Sequence, residues 1–541
     1  MRMRNCIKKI TAIILALTLA AMCASCGGSD ADPTAEKIYY NLSDEPTTLD
    51  PQIAEDESSK LLIMNLFEGL TRLDANDNPV PGAAASWEES DDEKTYTFHL
   101  RDGISWYDGT KVTAEDFLYG IQRTVDKNTG SPTAKTLFCI KNAEKINKGK
   151  LDMSKLGVTA PDEKTVVIEL EYRNEELLKL LATPAAMPCS KAFFETTRGQ
   201  YGREPEKLLS NGPFRIRELY GWEHGNYIYL RRNEHYKGKN TVIPFGVDFT
   251  IGKSYENIAV SIAANKLDAG PLAGKNFASA EENGLNITTF SDTVVALCLN
   301  LNSDLCRNKN IRMAFLTSFN RADVLAQLPE HAKEANDLIG DYALLDGEKY
   351  RELAGGEFYL RQNKKARSYM EKGLKELNLQ NVPTVSVLCS DEEEVQTVVT
   401  NLLQSWNDNM GYYFNKNPLS KGDLDYYVSS SQYDIAVVAI RSKGSTPSDF
   451  LASYGSTSDD NIINLKSGSY DKILADIQKN PGKESLDGYI KLEKYLNEQA
   501  VLYPIYFESR YFVSAKNVTG IIFHEYNSGV DFIQATKITT K

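Results

Sequence analysis

Residues 384–440 carry the pattern that most restricts the fold. Thr384 to Cys389 is a β-rich run. Val395, Val398, Val399, Leu402, Leu403 and Trp406 then recur at i, i+3, i+4, i+7 and i+8, the spacing of a helix with one apolar face. Ile435 to Ile440 is apolar throughout and reads as a buried strand. Strand, helix, strand in this order implies an α/β domain with a partly parallel sheet, because parallel neighbours need a crossover between them. Ser390-x-x-Glu393 is expected to cap the helix.

The first third mixes strands with short helices. Thr95 to Leu100 alternates, with Tyr96, Phe98 and Leu100 on one face and His99 on a solvated one. Asp102-Gly103 and Asp108-Gly109 mark turns around Trp106. Thr113-Ala-Glu-Asp116 opens a helix that sets Phe117, Leu118, Ile121 and Val125 on one side. Val166, Ile168 and Leu170 alternate as a strand, and a helix-like segment runs from Glu175 to Leu181. A chain of 541 residues predicts about three or four domains at roughly 150 residues each.

The amino terminus reads as an export signal. Arg2, Arg4, Lys8 and Lys9 precede a mainly apolar run from Ile10 to Ser25, too short for an ordinary membrane span. The run ends in Cys23-Ala24-Ser25-Cys26-Gly27-Gly28, which resembles a bacterial lipoprotein signal, so residues 1–25 are expected to be removed and Cys26 to carry lipid. Cys23 is the alternative. Residues 26–36 are small and polar, as a flexible tether should be. Removing residues 1–25 with their four cations leaves 57 basic against 74 acidic groups, a net charge of -17. Such a balance argues against nucleic acid as a partner, since that needs a basic surface. The expected location is the outer face of the cell membrane, held by lipid, with a monomeric body.

Chemistry-bearing motifs are sparse. Cys139, Cys189, Cys298, Cys306 and Cys389 are scattered and odd in number, which is not a disulfide framework. The five histidines form no metal spacing, and no cofactor is expected. There is no Gly-x-Ser-x-Gly elbow, phosphate-binding Gly-x-x-x-x-Gly-Lys loop or His-Glu-x-x-His pair. A non-enzymatic protein is expected; a secreted hydrolase of peptides or glycans is the runner-up, and a signalling or adhesion lipoprotein a third reading.

Several stretches together resemble the extracellular solute-binding proteins of ABC importers, in the oligopeptide/dipeptide-binding family. They are Glu45-Pro-Thr-Thr-Leu-Asp-Pro51, Phe67-Glu-Gly-Leu70, the long block from Pro81 to Phe117, Asn211-Gly-Pro-Phe-Arg-Ile216, the stretch from Asn226 to Tyr236, and Ile311-Arg-Met-Ala-Phe on to Arg321. The resemblance implies two α/β lobes joined by a hinge, closing over a peptide or related small solute and delivering it to ABC permease subunits. It implies a first lobe from 37–70, 205–292 and 508–541, an extra domain at 71–204, and a second lobe at 293–507.

The same resemblance points to ligand contacts. Glu55, Asp56 and Glu57 follow the Asp-Pro motif where relatives contact ligand; a solvated acidic loop is the plain alternative. The strand and loop with Val438, Ala439, Ile440, Arg441 and Lys443 should line the cleft, with Tyr506 near the hinge. Relatives that bind peptides carry a Trp and an amine-pairing Asp where this chain has Ile440 and Lys443. Arg441 and Lys443 suit a carboxylate or phosphate, which keeps an anionic non-peptide solute open as an alternative ligand.

Overall fold

The computed structural model describes residues 36–251, 257–328, 331–526 and 529–538. Cys23, Cys26, the signal segment and nearly all of the tether lie outside the described residues.

Among the elements that position the site, the amino-terminal part supplies β1 (Lys37–Leu42), α1 (Glu57–Leu66), β2 (Ala84–Glu89), β3 (Thr95–Leu100), α2 (Ala114–Val125), β4 (Val158–Asp162) and β5 (Thr165–Glu169). The middle supplies β6 (Phe214–Ile216), β7 (Tyr227–Arg232), β8 (Gly246–Ile251), β9 (Ala269–Leu272), β10 (Asn286–Leu299) and α3 (Lys309–Thr317). The remainder gives β11 (Ser386–Ser390), α4 (Glu393–Met410), β12 (Asn415–Leu419), α5 (Lys421–Ser429), β13 (Ile435–Arg441), α6 (Leu486–Glu498) and β14 (Leu502–Ser514).

A 12-stranded sheet runs in the order β12-β11-β13-β10-β14-β9-β1-β8-β7-β6, with two short strands off this path. Its ends differ in character. β11 lies parallel to β13, as the strand-helix-strand pattern of residues 384–440 predicts, and also to β12; β1 lies parallel to both β8 and β9. Between these groups β10 and β14 pair antiparallel along almost their whole length, so two long strands carry the chain from one lobe to the other. Their register shifts between Phe290 and Thr293, which leaves Ser291 and Asp292 out of the ladder at the crossing point. A local irregularity of this kind bends a strand pair.

Alternation along the strands explains the layers. In β10, Val295, Leu297 and Leu299 enter one core and Val294 and Cys298 the other. Likewise β11 sends Val387 and Cys389 one way and Leu388 the other. The sheet is therefore covered on both faces, by α3 and α4 on one side and α5 and α6 on the other, as parallel strands require. A further core unites β1, β8 and α1 with α2 and the four-stranded sheet β2-β3-β5-β4. The segment 71–204 thus packs onto the first lobe.

Local expectations can be checked residue by residue. In β3, Tyr96, Phe98 and Leu100 are buried and His99 is half-exposed. Thr113 and Asp116 form the expected capping box of α2, which buries Phe117, Ile121 and Val125 but leaves Leu118 half-buried. The capping box expected from Ser390 and Glu393 does not form: Glu392 is the N-cap of α4, and the Ser390 hydroxyl accepts from the Glu392 amide at 3.2 Å. The helix-like segment from Glu175 shortens to one turn, Leu177–Leu180. All five described cysteines are buried and unpaired.

Candidate functional site

A cavity of 1110 Å³ lies between the lobes. One wall comes from the end of β1 and its following loop (Tyr40 to Asp44), from Glu55 to Ser58, and from Pro271 to Lys275. The facing wall comes from Glu392, Glu393 and Glu394, which directly follow β11, and from Lys421 and Asp425, which follow β12. Glu508 to Phe512 of β14 form the back. The carboxyl ends of parallel strands are where open α/β sheets hold ligands, because loops and helix starts diverge there and leave a crevice.

Local physics fixes the near wall. Asp56 is the N-cap of α1, with a 2.8 Å hydrogen bond from the Ser59 amide and others from the hydroxyls of Ser59 and Thr47, at 2.6 and 2.5 Å. Burial pushes its carboxyl up, but these bonds outweigh burial and hold it below the usual range. Glu57 begins the helix, where the macrodipole favours an acid. At the back, burial and the charges of Glu392 and Glu394 raise the Glu508 carboxyl above its ordinary value.

The nine ligand-contact candidates divide. Glu55, Asp56 and Glu57 stand in the cavity wall. Val438, Ala439, Ile440, Arg441, Lys443 and Tyr506 stand outside its lining. Tyr506 is 1% exposed and belongs to the core of the second lobe. Val438 is buried, Ala439 exposed and Ile440 half-buried. β11 pairs with β13 only at Ile435 and Ala436, so beyond Ala436 the β11-facing edge of β13 has no strand partner among the described residues.

Arg441 has partners within the protein. It donates to Glu57 at 2.9 Å, to Asp292 at 2.9 Å and to the Glu525 carbonyl at 2.8 Å. Arg510 meets the same Asp292 at 2.7 Å and the same carbonyl at 2.7 Å. Burial raises the Asp292 carboxyl, and the two guanidinium groups override burial and keep it below its ordinary value. Glu57 follows β1 and Arg441 ends β13, so this ion pair clasps the two lobes. Lys443 is bound to Asp460 at 2.5 Å. Both cations read from the sequence as anion receivers are thus already matched by carboxylates.

Sequence reasoning missed the far wall and the back. Of the three glutamates at 392–394 only Glu393 carries a reading from sequence, as a helix cap; the signal available for all three is their position just after a strand of an α/β unit. Among the described residues no group of His, Cys, Asp or Glu could hold a metal ion, and no helix is long and apolar enough to cross a membrane.

Comparison with known proteins supplies the family. Residues 78–461, more than half of the chain, match the family described as bacterial extracellular solute-binding proteins, family 5 Middle. The chain is 26% identical over 541 residues to the oligopeptide-binding protein OppA of Bacillus subtilis (strain 168), covering 95% of this chain and 96% of that one. It is 24% identical over 538 residues to the dipeptide-binding protein DppE of the same organism, covering 96% and 97%. Among solved structures, the substrate-binding domain of an oligopeptide ABC transporter from Bacillus anthracis str. Ames superposes with a TM-score of 0.79 at 26% identity, over 94% of this chain and 99% of that one. This is a solute-binding family and not an enzyme family, so the hydrolase reading falls. The two-lobed architecture, the crevice at the strand ends and the match over most of the chain agree, and the chain belongs to the bacterial extracellular solute-binding proteins of family 5.

Proposed function

We propose that this protein is a lipid-anchored peptide receptor that closes its two lobes over its ligand and presents the closed form to an ABC permease. The interlobe cavity carries the reading, because it is walled by both lobes and backed by the strands that join them. A ligand there touches both lobes only when they are closed, so its differential affinity shifts the hinge equilibrium. The unpartnered edge of β13 beyond Ala436 offers main-chain groups to an extended peptide, a mode of capture that tolerates many side chains. Glu55 and Glu57 are proposed contacts on the first lobe; on the second, the strand from Val438 to Lys443, outside the cavity lining but joined to it through the Arg441–Glu57 pair, is proposed to meet the ligand along its free edge, while Tyr506 stays in the core. Cys26 is the proposed lipid site and residues 26–36 the tether.

The resemblance places Lys443 where an amine-pairing acid is expected, and both cations there are already paired, Arg441 with Glu57 and Asp292 and Lys443 with Asp460. The amine contact is therefore assigned to carboxylates of the cavity wall. Mass spectrometry of the material released when protein purified from its native host is denatured tests the reading. A ladder of heterogeneous peptides is the expected result; a single non-peptide solute would overturn it.

A further inference from the structure

The charge of the cavity says more about its ligand than its shape does. Nine of its lining residues are carboxylates and three are cations. Of the cations, Arg510 is held by Asp292, which leaves Lys275 and Lys421. Of the acids, Asp56 is used as a helix cap and Glu57 as a clasp. The other seven, among them Glu55, Glu392, Glu394, Asp425 and Glu508, have no cation within 4.0 Å among the described residues. They stand on opposing walls: Glu55 on the first lobe, Glu392 and Glu394 on the second.

An ordinary solvated acidic face would point outward, where water screens it. These groups line both sides of one crevice, so that, although six of the seven are exposed, their like charges add across the gap. The start of α4 contributes positive potential of its own, about half a charge, and three glutamates outweigh it. Burial first, and then the charges of Glu392 and Glu394, raise the Glu508 carboxyl, so the acids of the far wall act on the back of the cavity.

Resting on the peptide reading above, we infer that the cavity selects cationic peptides, those bearing lysine or arginine side chains, over neutral and acidic ones. Such a ligand also explains how closure is driven. Like charges on facing walls repel as the lobes approach, and ligand cations placed between them reverse the sign of that interaction.

The test is calorimetric titration of the full mature chain with oligo-lysine, oligo-alanine and oligo-glutamate of equal length, three to five residues. Oligo-lysine is expected to bind at least about tenfold tighter than oligo-alanine, equivalent to about 1.4 kcal/mol, with oligo-glutamate weakest. Raising salt should erode the oligo-lysine advantage and leave oligo-alanine nearly unchanged. The double variant E392Q/E394Q, on an exposed helix start, should narrow the ratio between oligo-lysine and oligo-alanine. Equal affinity for all three peptides, or a salt-independent ratio, would overturn the charge preference and leave the peptide reading standing. No binding by any of them would overturn the peptide reading and this inference with it.

Discussion

Two ion pairs start within eight residues of one another and do opposite work. Asp50, in the loop before α1, receives two hydrogen bonds from Arg123 of α2, at 3.0 and 2.7 Å, and both side chains are almost fully buried. The Arg123 guanidinium also bonds Gln52 at 2.5 Å and stacks 3.9 Å from the Phe194 ring centre. Glu57, at the start of α1, meets Arg441 of the other lobe with its side chain 70% exposed. The first pair is a joint and the second a clasp. Burial makes the difference: an ion withdrawn from water must keep its partner, whereas an exposed ion exchanges it for water at little cost. The proposed closure over a ligand would need both, one pair to fix the extra segment to its lobe and one that lets go.

The largest effect should follow from breaking the joint. Arg123→Ala strands a buried carboxylate and is expected to cost about 3–5 kcal/mol, seen as a large drop in the denaturant midpoint. A small drop would show that Asp50 is solvated and not a joint. Glu57→Gln should lower stability by only about 0.2–1 kcal/mol, while enlarging the unliganded protein in solution scattering; a loss as large as that of Arg123→Ala would erase the distinction.

A subtler test lies at a second interlobe contact. Glu175, on the 71–204 segment, hydrogen-bonds Asp346 of the second lobe; burial, then this contact, pushes its carboxyl up to about 7. Asp346 moves the opposite way, held low first by the Lys483 amide and then by Glu175, so Glu175 holds the shared proton. Between about pH 4.5 and 7 the folded state binds more protons than the unfolded chain, so stability from this contact falls as pH rises through that window. Wild-type protein should lose stability across the window more steeply than Glu175→Gln; identical slopes would remove the contact from the account. The smallest effect belongs to Lys443→Ala, whose exposed pair with Asp460 should leave the midpoint unchanged within error.

Legibility from sequence followed locality. The period of α4, the alternation of β3 and the apolar runs of β11 and β13 are properties of neighbours in sequence, and each element is present. The cap of α4 was misplaced because Ser390 and Glu392 offer rival starts, and the backbone departs at Glu392. The cavity was legible only in part. Glu55 to Glu57 came through resemblance, whereas Glu392 to Glu394, Lys421, Asp425 and Glu508 come from separate segments, each unremarkable alone. Arg441 showed its charge in the sequence but not its partners, since Glu57 and Asp292 lie 384 and 149 residues away.

Small-angle scattering of residues 26–541, with and without saturating oligo-lysine, tests closure over a ligand most directly. The account predicts a smaller radius of gyration and a shorter maximum dimension with ligand, both reversed on its removal. Superimposable profiles at saturation, with binding verified in the same sample, would contradict it.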